Sequence, residues 1–207
     1  TDVHWSEVPG RDEKWRTQTI ANTSEAQFKV EFECEFLGSV NTLINPSKLK
    51  NLVYENPIQK NAGLDVYESP RKDHNYLITV DVARGLGNDY SAFIVFDITN
   101  FPYKAVAKYR NNEIKPMLFP SIIADVGKAY NKAFILCEVN DIGDQVASIL
   151  NYDLEYDNLL MCSQRGRAGQ VVGAGFSGKR SQLGVRTTQA VKKLGCSNLK
   201  TLLEDDK

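Results

Sequence analysis

Hydrophobic and polar positions along the chain fall into three regimes. Over residues 1–45 the pattern is weak: Trp5, Pro9, Gly10, Arg11 and Trp15 form a turn-rich start, and the stretch reads as an arm. Within it Ser24 has the character of a helix N-cap, with Gln27 three residues on as its capping-box partner. Phe28, Val30, Phe32 and Phe36 follow, up to Gly38; their spacing fits a helix or, by alternation, a strand. Asn45 to Pro70 is polar, interrupted by Pro46, Pro57 and Pro70, and is expected to be loop with one short helix.

From Tyr76 onward the pattern strengthens into a mixed α/β core. Tyr76–Asp81 predicts a strand that ends in an acid, Ser91–Asp97 a second, and Tyr103–Tyr109 a third by alternation. A turn at Arg84–Asp89 joins the first two, and joins this short predict an antiparallel meander. Leu118, Ile122, Ile123, Val126 and Tyr130 recur at helical spacing. Phe134–Val139 predicts a fourth strand, again with an acid near its end. Asp141 or Gly143 then opens a helix through Val146, Ile149 and Leu150, and Leu159–Cys162 predicts a fifth strand. The predicted order is β-β-β-α-β-α-β.

Composition narrows the class little further. The 207 residues are 42% hydrophobic and 25% charged, ordinary for a globular domain. Apolar runs such as Phe93 to Phe96 are far too short to cross a bilayer, so a membrane span is excluded, and no secretory leader is visible. The chain begins with Thr1, which suggests a piece of a longer protein.

Charge changes the picture more. The net charge of −1 by itself argues against a nucleic-acid partner. Residues 161–200, however, hold Arg165, Arg167, Lys179, Arg180, Arg186, Lys192, Lys193 and Lys200 and no acid, whereas the rest of the chain carries 17 basic and 26 acidic groups. One basic block on an acidic body reads either as a localised anion-binding face or as a solvated surface. Seven of the 14 glycines also lie between Gly166 and Gly195. Glycine lets backbone amides approach phosphates closely, which favours contact with a DNA backbone over a hairpin with no ligand.

Cys34, Cys137, Cys162 and Cys196 are scattered, without a C-x-x-C pair, and fit a reducing compartment with Cys137 as a buried thiol. His4 and His74 are the only histidines, too few for a histidine-rich zinc site, and they make a Ser-His-Asp or Cys-His enzyme improbable.

The chemistry centres on Asp81 and Glu138. Each ends an apolar run, LITVD and FILCE, and a charge there is costly to bury unless it is paired or metal-bound. If the first and fourth strands are neighbours, their backbones lie about 4.8 Å apart. Two carboxylates at adjacent strand ends repel, and a divalent cation relieves that repulsion; oxygen ligands favour Mg²⁺ or Mn²⁺. A plainer reading leaves both as solvated acids at turns. Asp89, in GLGNDYS, could reach over Asp81 as an outer metal ligand or simply form an Asn-Asp turn. Asp141 and Asp144 are explained by capping and dipole compensation at a helix start.

Gly173 to Lys179 fits G-x-x-x-x-G-K, but Arg180 stands where a P-loop needs Ser or Thr, and no long parallel strand precedes it. Nucleotide binding there is not expected.

Taken together, VDVARGLGNDYSAFIVFD (Val80–Asp97), FILCEVNDIGDQVASIL (Phe134–Leu150) and the N-terminal WSEVPGRDEKW…FECEFLG (Trp5–Gly38) resemble the nuclease domain of tailed-phage large terminases, particularly the myophage branch. The resemblance covers nearly the whole chain. It implies an α/β, ribonuclease H-like fold with a mixed five-stranded sheet flanked by helices. Residues 1–45 would be the arm from an upstream ATPase domain and 46–207 the nuclease. It further implies a Mg²⁺- or Mn²⁺-dependent endonuclease that cuts concatemeric double-stranded DNA during packaging into the prohead. Asp81 matches the family's first acid and Glu138 its second. The third normally lies near an H-D-D-like motif further along; the chain stops at Leu203-Glu-Asp-Asp-Lys207, and the role is not transferred to those acids.

Under that resemblance Arg165, Arg167, Lys179, Arg180 and Arg186 would hold the DNA backbone. Portal and small terminase subunit would be partners, and the site of action would be the host cytoplasm at the prohead portal. Two other classes stay open: a non-catalytic docking or DNA-binding module, and a fragment of an actin-like or sugar-kinase-like phosphotransferase. A PD-(D/E)xK nuclease is disfavoured because Glu138-Val-Asn lacks the lysine.

Overall fold

The structure, a computed structural model, describes residues 4–33, 42–45, 48–49, 51, 53–163, 170–174 and 181–205. The chain divides into two compact units, Thr1–Val53 with Leu199–Asp206, and Tyr54–Asn198.

In the first unit the ambiguous aromatic segment is helical as far as Phe32; Phe36 and Gly38 lie outside the described residues. Helices α1 (Glu13–Asn22) and α2 (Glu25–Phe32) begin at Asp12 and Ser24, whose side chains accept from the backbone N–H of Trp15 and Gln27. The Gln27 side chain turns to Glu31 instead of closing the capping box. Helical spacing brings Phe28 and Phe32 onto Trp15, with ring centroids 5.8 and 5.2 Å away, and Phe28 is fully buried. The Arg11 guanidinium lies 4.6 Å over the Trp15 ring, so this small core is aromatic and cation–π in character.

The second unit holds the α/β core. Its sheet runs β1-β2-β5-β4-β3-β6, with β1 Gln59–Asn61, β2 Leu64–Val66, β3 Tyr76–Asp81, β4 Ser91–Asp97, β5 Lys104–Asn111 and β6 Phe134–Cys137. The expected meander is present: β3, β4 and β5 pair antiparallel, and β6 adds parallel to β3. Alternation is the cause, since Tyr76, Ile78 and Val80 all point to one buried face. Helix α3 (Phe119–Ala129) covers that face, stacking Phe119 on Phe93 and Tyr109.

The sheet is wider than the five strands expected, and its membership differs. The β1–β2 hairpin lies inside the stretch expected to be loop and short helix; it joins the sheet through β2 and β5. Gln59–Asn61 is wholly exposed and polar, so no alternation marks it, and pairing with the edge decides it. Conversely, the fifth predicted strand, β7 (Leu160–Ser163), sits in a second sheet between β8 (Val171–Ala174) and β9 (Ser181–Leu183). Its approach to β6 is limited to one parallel bridge, Ile135 to Leu159. Gly173 and Ala174 belong to β8, which runs antiparallel to β7; the rest of the P-loop-like run lies outside the described residues.

Helix α4 (Gly143–Ser148) continues through a π-helical turn (Ile149–Asp153), burying Val146, Ala147 and Leu150. Helix α5 spans Gln189–Glu204. Cys137 is buried and free, and burial pushes its thiol up to about 12. No helix among the described residues is long and apolar enough to cross a membrane.

Candidate metal centre

Strand register brings the two acids together. Val80 pairs with Cys137 across the parallel β3–β6 ladder, so Asp81 and Glu138 are the next residues on neighbouring strands, and the Glu138 N–H donates to the Val80 carbonyl at 2.9 Å. Asp81 is exposed at the sheet end, yet its neighbours remove enough water to matter. Desolvation first, then a hydrogen bond and repulsion from Glu138, raise its pKa above the usual carboxylate value, with Asp89 adding a smaller push. Burial and a neighbouring like charge both disfavour the ionised form of Asp81.

The loops around the pair are pinned. After β3, the Ala83 N–H donates to the hydroxyl of fully buried Ser91, which donates back to the Ala83 carbonyl. Further along, Asn112 donates through its side chain to the Gly87 carbonyl and accepts the Gly87 N–H on its own carbonyl. After β6, Gly143 passes so close to the Glu138 carbonyl that a Cβ there would collide with it. These loops enclose a cavity of about 410 Å³ whose wall includes Asp81, Arg84, Asp89, Tyr90 and Asp141. Asp89 thus lies where its charge is felt. Among the described residues, however, no three His, Cys, Asp or Glu side chains converge as a metal-ligand cluster.

Asn140 was not singled out by its sequence. Its side-chain amide donates to Glu138 Oε1 at 3.0 Å and to the Thr187 carbonyl at 3.1 Å, while its Oδ1 accepts the Thr187 N–H at 3.2 Å. It therefore orients the Glu138 carboxylate and ties it to the segment that follows β9. Only the E-V-N spacing two residues after an acid hints at it. Replacing Asn140 with Ala should cost about 1–2 kcal/mol, since it strands the Thr187 N–H and loosens Glu138. Thermal unfolding, with faster amide exchange at Thr187, checks this; protection as in wild type would contradict it.

Of the five basic residues expected at DNA, Arg165, Arg167, Lys179 and Arg180 lie outside the described residues. Arg186 is described and exposed. It directly follows Val185, which bridges to Glu138 and whose N–H reaches the Cys137 carbonyl at 2.7 Å.

A mixed sheet with this strand order, flanked by helices, defines the ribonuclease H-like class, here with an acid pair at the ends of its β3 and β6 strands. Residues 78–207 match the family described as the terminase RNaseH-like domain, and the chain belongs to that family. Among solved structures, the chain is similar to the large terminase nuclease of thermophilic phage G20c with bound magnesium. That likeness has a TM-score of 0.59 and 20% identity, over 81% of this chain and 72% of that one. The same nuclease with bound cobalt gives 0.57 and 23%, over 81% and 72%. The large terminase nuclease domain of Thermus phage P74-26 gives 0.52 and 23%, over 77% and 67%. At these identities the likeness concerns the fold.

Proposed function

We propose that the chain is the metal-dependent endonuclease part of a viral large terminase, cutting concatemeric double-stranded DNA during genome packaging. The observation that carries this is the Asp81–Glu138 pair, two carboxylates held at the ends of adjacent parallel strands, close enough for Glu138 to raise the Asp81 pKa. Hard oxygen donors at that spacing fit Mg²⁺ or Mn²⁺, and the relatives' bound magnesium and cobalt agree with a divalent ion. Asp81 and Glu138 would hold it, with Asp89 as an outer acid. When bound, such an ion activates water and neutralises charge on the phosphodiester. Asn140 keeps Glu138 turned toward Asp81, and the pinned loops keep the cavity open to solvent. Residues 1–45 are read as the arm from an upstream ATPase domain and 46–207 as the nuclease. Portal and small terminase subunit are read as partners, at the prohead in the host cytoplasm.

Calorimetric titration with Mn²⁺ and Mg²⁺, repeated on Asp81→Asn, tests the reading. Binding in the parent protein that is lost in the variant supports it. Absence of metal binding in the parent, with duplex DNA or a protein partner still bound, favours the non-catalytic docking reading instead.

The basic block makes a separate prediction. Each neutralised phosphate contributes about −0.9 to the slope of log affinity against log salt. Three to five contacts from Arg165, Arg167, Lys179, Arg180 and Arg186 give a slope of roughly −3 to −4. Replacing Lys179 and Arg180 together by Ala should make it about two units shallower and weaken all sequences alike. A salt series in EDTA measures it, and an unchanged slope rejects the groove role of this block.

A further inference from the structure

Arg84 carries the inference. It is the only basic side chain on the wall of the acid-lined cavity among the described residues, and another wall residue, Asp141, takes two of its N–H groups. Its Nε donates to Asp141 Oδ2 at 2.9 Å and its Nη2 to Asp141 Oδ1 at 2.7 Å, a two-pronged match between residues 57 positions apart. The pair joins the turn after β3 to the turn after β6, directly beside Asp81.

Stability does not explain the pair. Both side chains are exposed, at 66% and 61%, and an ion pair so open to water contributes little to folding. Yet both ends are held with care. Arg84 follows Ala83, which Ser91 grips through two hydrogen bonds. Asp141 sits at φ 48°, in the left-handed region that a non-glycine residue adopts at a cost. A weak pair on well-fixed supports is suited to exchange of one partner.

The guanidinium fork that takes a carboxylate by two parallel bonds takes a phosphate in the same way. We propose that Arg84 and Asp141 form an exchangeable clamp. In the free protein the Asp141 carboxylate occupies the Arg84 fork, and when DNA enters, a backbone phosphate beside the acid pair replaces it. This rests on the nuclease reading above. Asp141 then has two effects: it keeps Arg84 extended over the cavity, and it competes with the phosphate for it. Sequence spacing explained Asp141 as a helix-start acid; the ion pair gives it a partner that spacing does not reveal.

The competition has a signed consequence, measurable by fluorescence anisotropy with a labelled DNA duplex in EDTA at fixed salt. Asp141→Asn frees the fork while keeping the side chain's shape, and should tighten DNA binding roughly two- to fivefold. Arg84→Gln should weaken it about tenfold, and Arg84→Lys should recover only part, because ammonium keeps the charge without the fork. The deciding variant is the double one: with Arg84→Gln present, Asp141→Asn should change affinity less than about twofold. Asp144→Asn, an exposed acid on the first turn of α4, supplies the effect of simply removing a negative charge. Thermal melts of all variants should agree closely, as expected for an exposed pair.

Asp141→Asn tightening binding as much without Arg84 as with it, or no more than Asp144→Asn does, would reject the clamp and assign the effect to long-range charge. Weaker binding in Asp141→Asn with an unchanged melt would also reject it, because Asp141 would then be assisting the phosphate. Normal DNA binding with all variants alike overturns the clamp alone. Absence of duplex binding by the parent protein overturns the nuclease reading together with it.

Discussion

Asp81→Asn and Glu138→Gln are each expected to lower DNA cleavage by roughly a thousandfold or more while the protein stays folded. The reason is that each acid is one half of an oxygen-donor pair, and an amide in its place supplies one neutral oxygen where two charged ones were needed. Stability in metal-free buffer should hold or rise in Asp81→Asn. The native state raises the Asp81 pKa above its unfolded value of about 3.8. Between those two values the folded protein keeps a proton that the unfolded chain has released. Stability therefore falls as pH rises through that window and stays at the lower level above it. Asparagine carries no charge to repel Glu138, so the variant should match or exceed the parent at neutral pH in EDTA, and the difference should close as pH falls below about 4. Plasmid cleavage in Mg²⁺ or Mn²⁺ and thermal melts across pH measure both halves. Cleavage near the parent rate in either variant removes these acids from the site.

Gly184→Ala should cost roughly 2–5 kcal/mol, the sum of a left-handed backbone penalty and an overpacked contact. Gly184 has φ +83°, and a Cβ there would press into the Cys137 carbonyl and the Val139 side chain. Its N–H donates to the Leu160 carbonyl, and the next residue's N–H donates to Cys137, so it stitches the second sheet to the end of β6. Glu138 lies between those two contacts. Displacing the stitch should therefore lower cleavage together with stability, and the melting temperature should fall by about 5–15 °C for a chain of this size. Gly87→Ala is the comparison: φ is +85°, but nothing lies within 4 Å of its Cβ, so only the backbone penalty of about 1–2 kcal/mol applies. Equal melts for the two variants would mean that the contact with β6 contributes nothing.

Much of the core was legible because its signals are local. Tyr76–Asp81 and Ser91–Asp97 form strands over the ranges that alternation predicts, and Phe119–Ala129 forms the helix that apolar spacing predicts. The Ser24 cap is likewise a three-residue affair, and its geometry settles the aromatic segment as a helix, because Phe28 and Phe32 then meet Trp15 on one side. The β1–β2 hairpin was not legible. Its first strand is polar and exposed, and only the free edge of β5 makes it a strand. Arg84, Asp141 and Asn140 were not legible as site residues either, since each acquires its meaning from a partner far along the chain or across a turn.

By itself the sequence determined the kind and order of the core elements between Tyr76 and Cys162, and the presence of one acid at the end of each of two apolar runs. Side-chain spacing over three to eight residues encodes those features, and no distant contact is needed to set them. Tertiary structure decided which strands are neighbours, and so that acids 57 residues apart stand side by side at adjacent strand ends. It also decided that β7 leaves the main sheet, that Asn140 holds Glu138, and that Arg84 pairs with Asp141. The physical reason is that pairing register and loop closure are properties of the whole packed core. A short window of sequence carries the propensity of a strand but not the identity of the strand beside it.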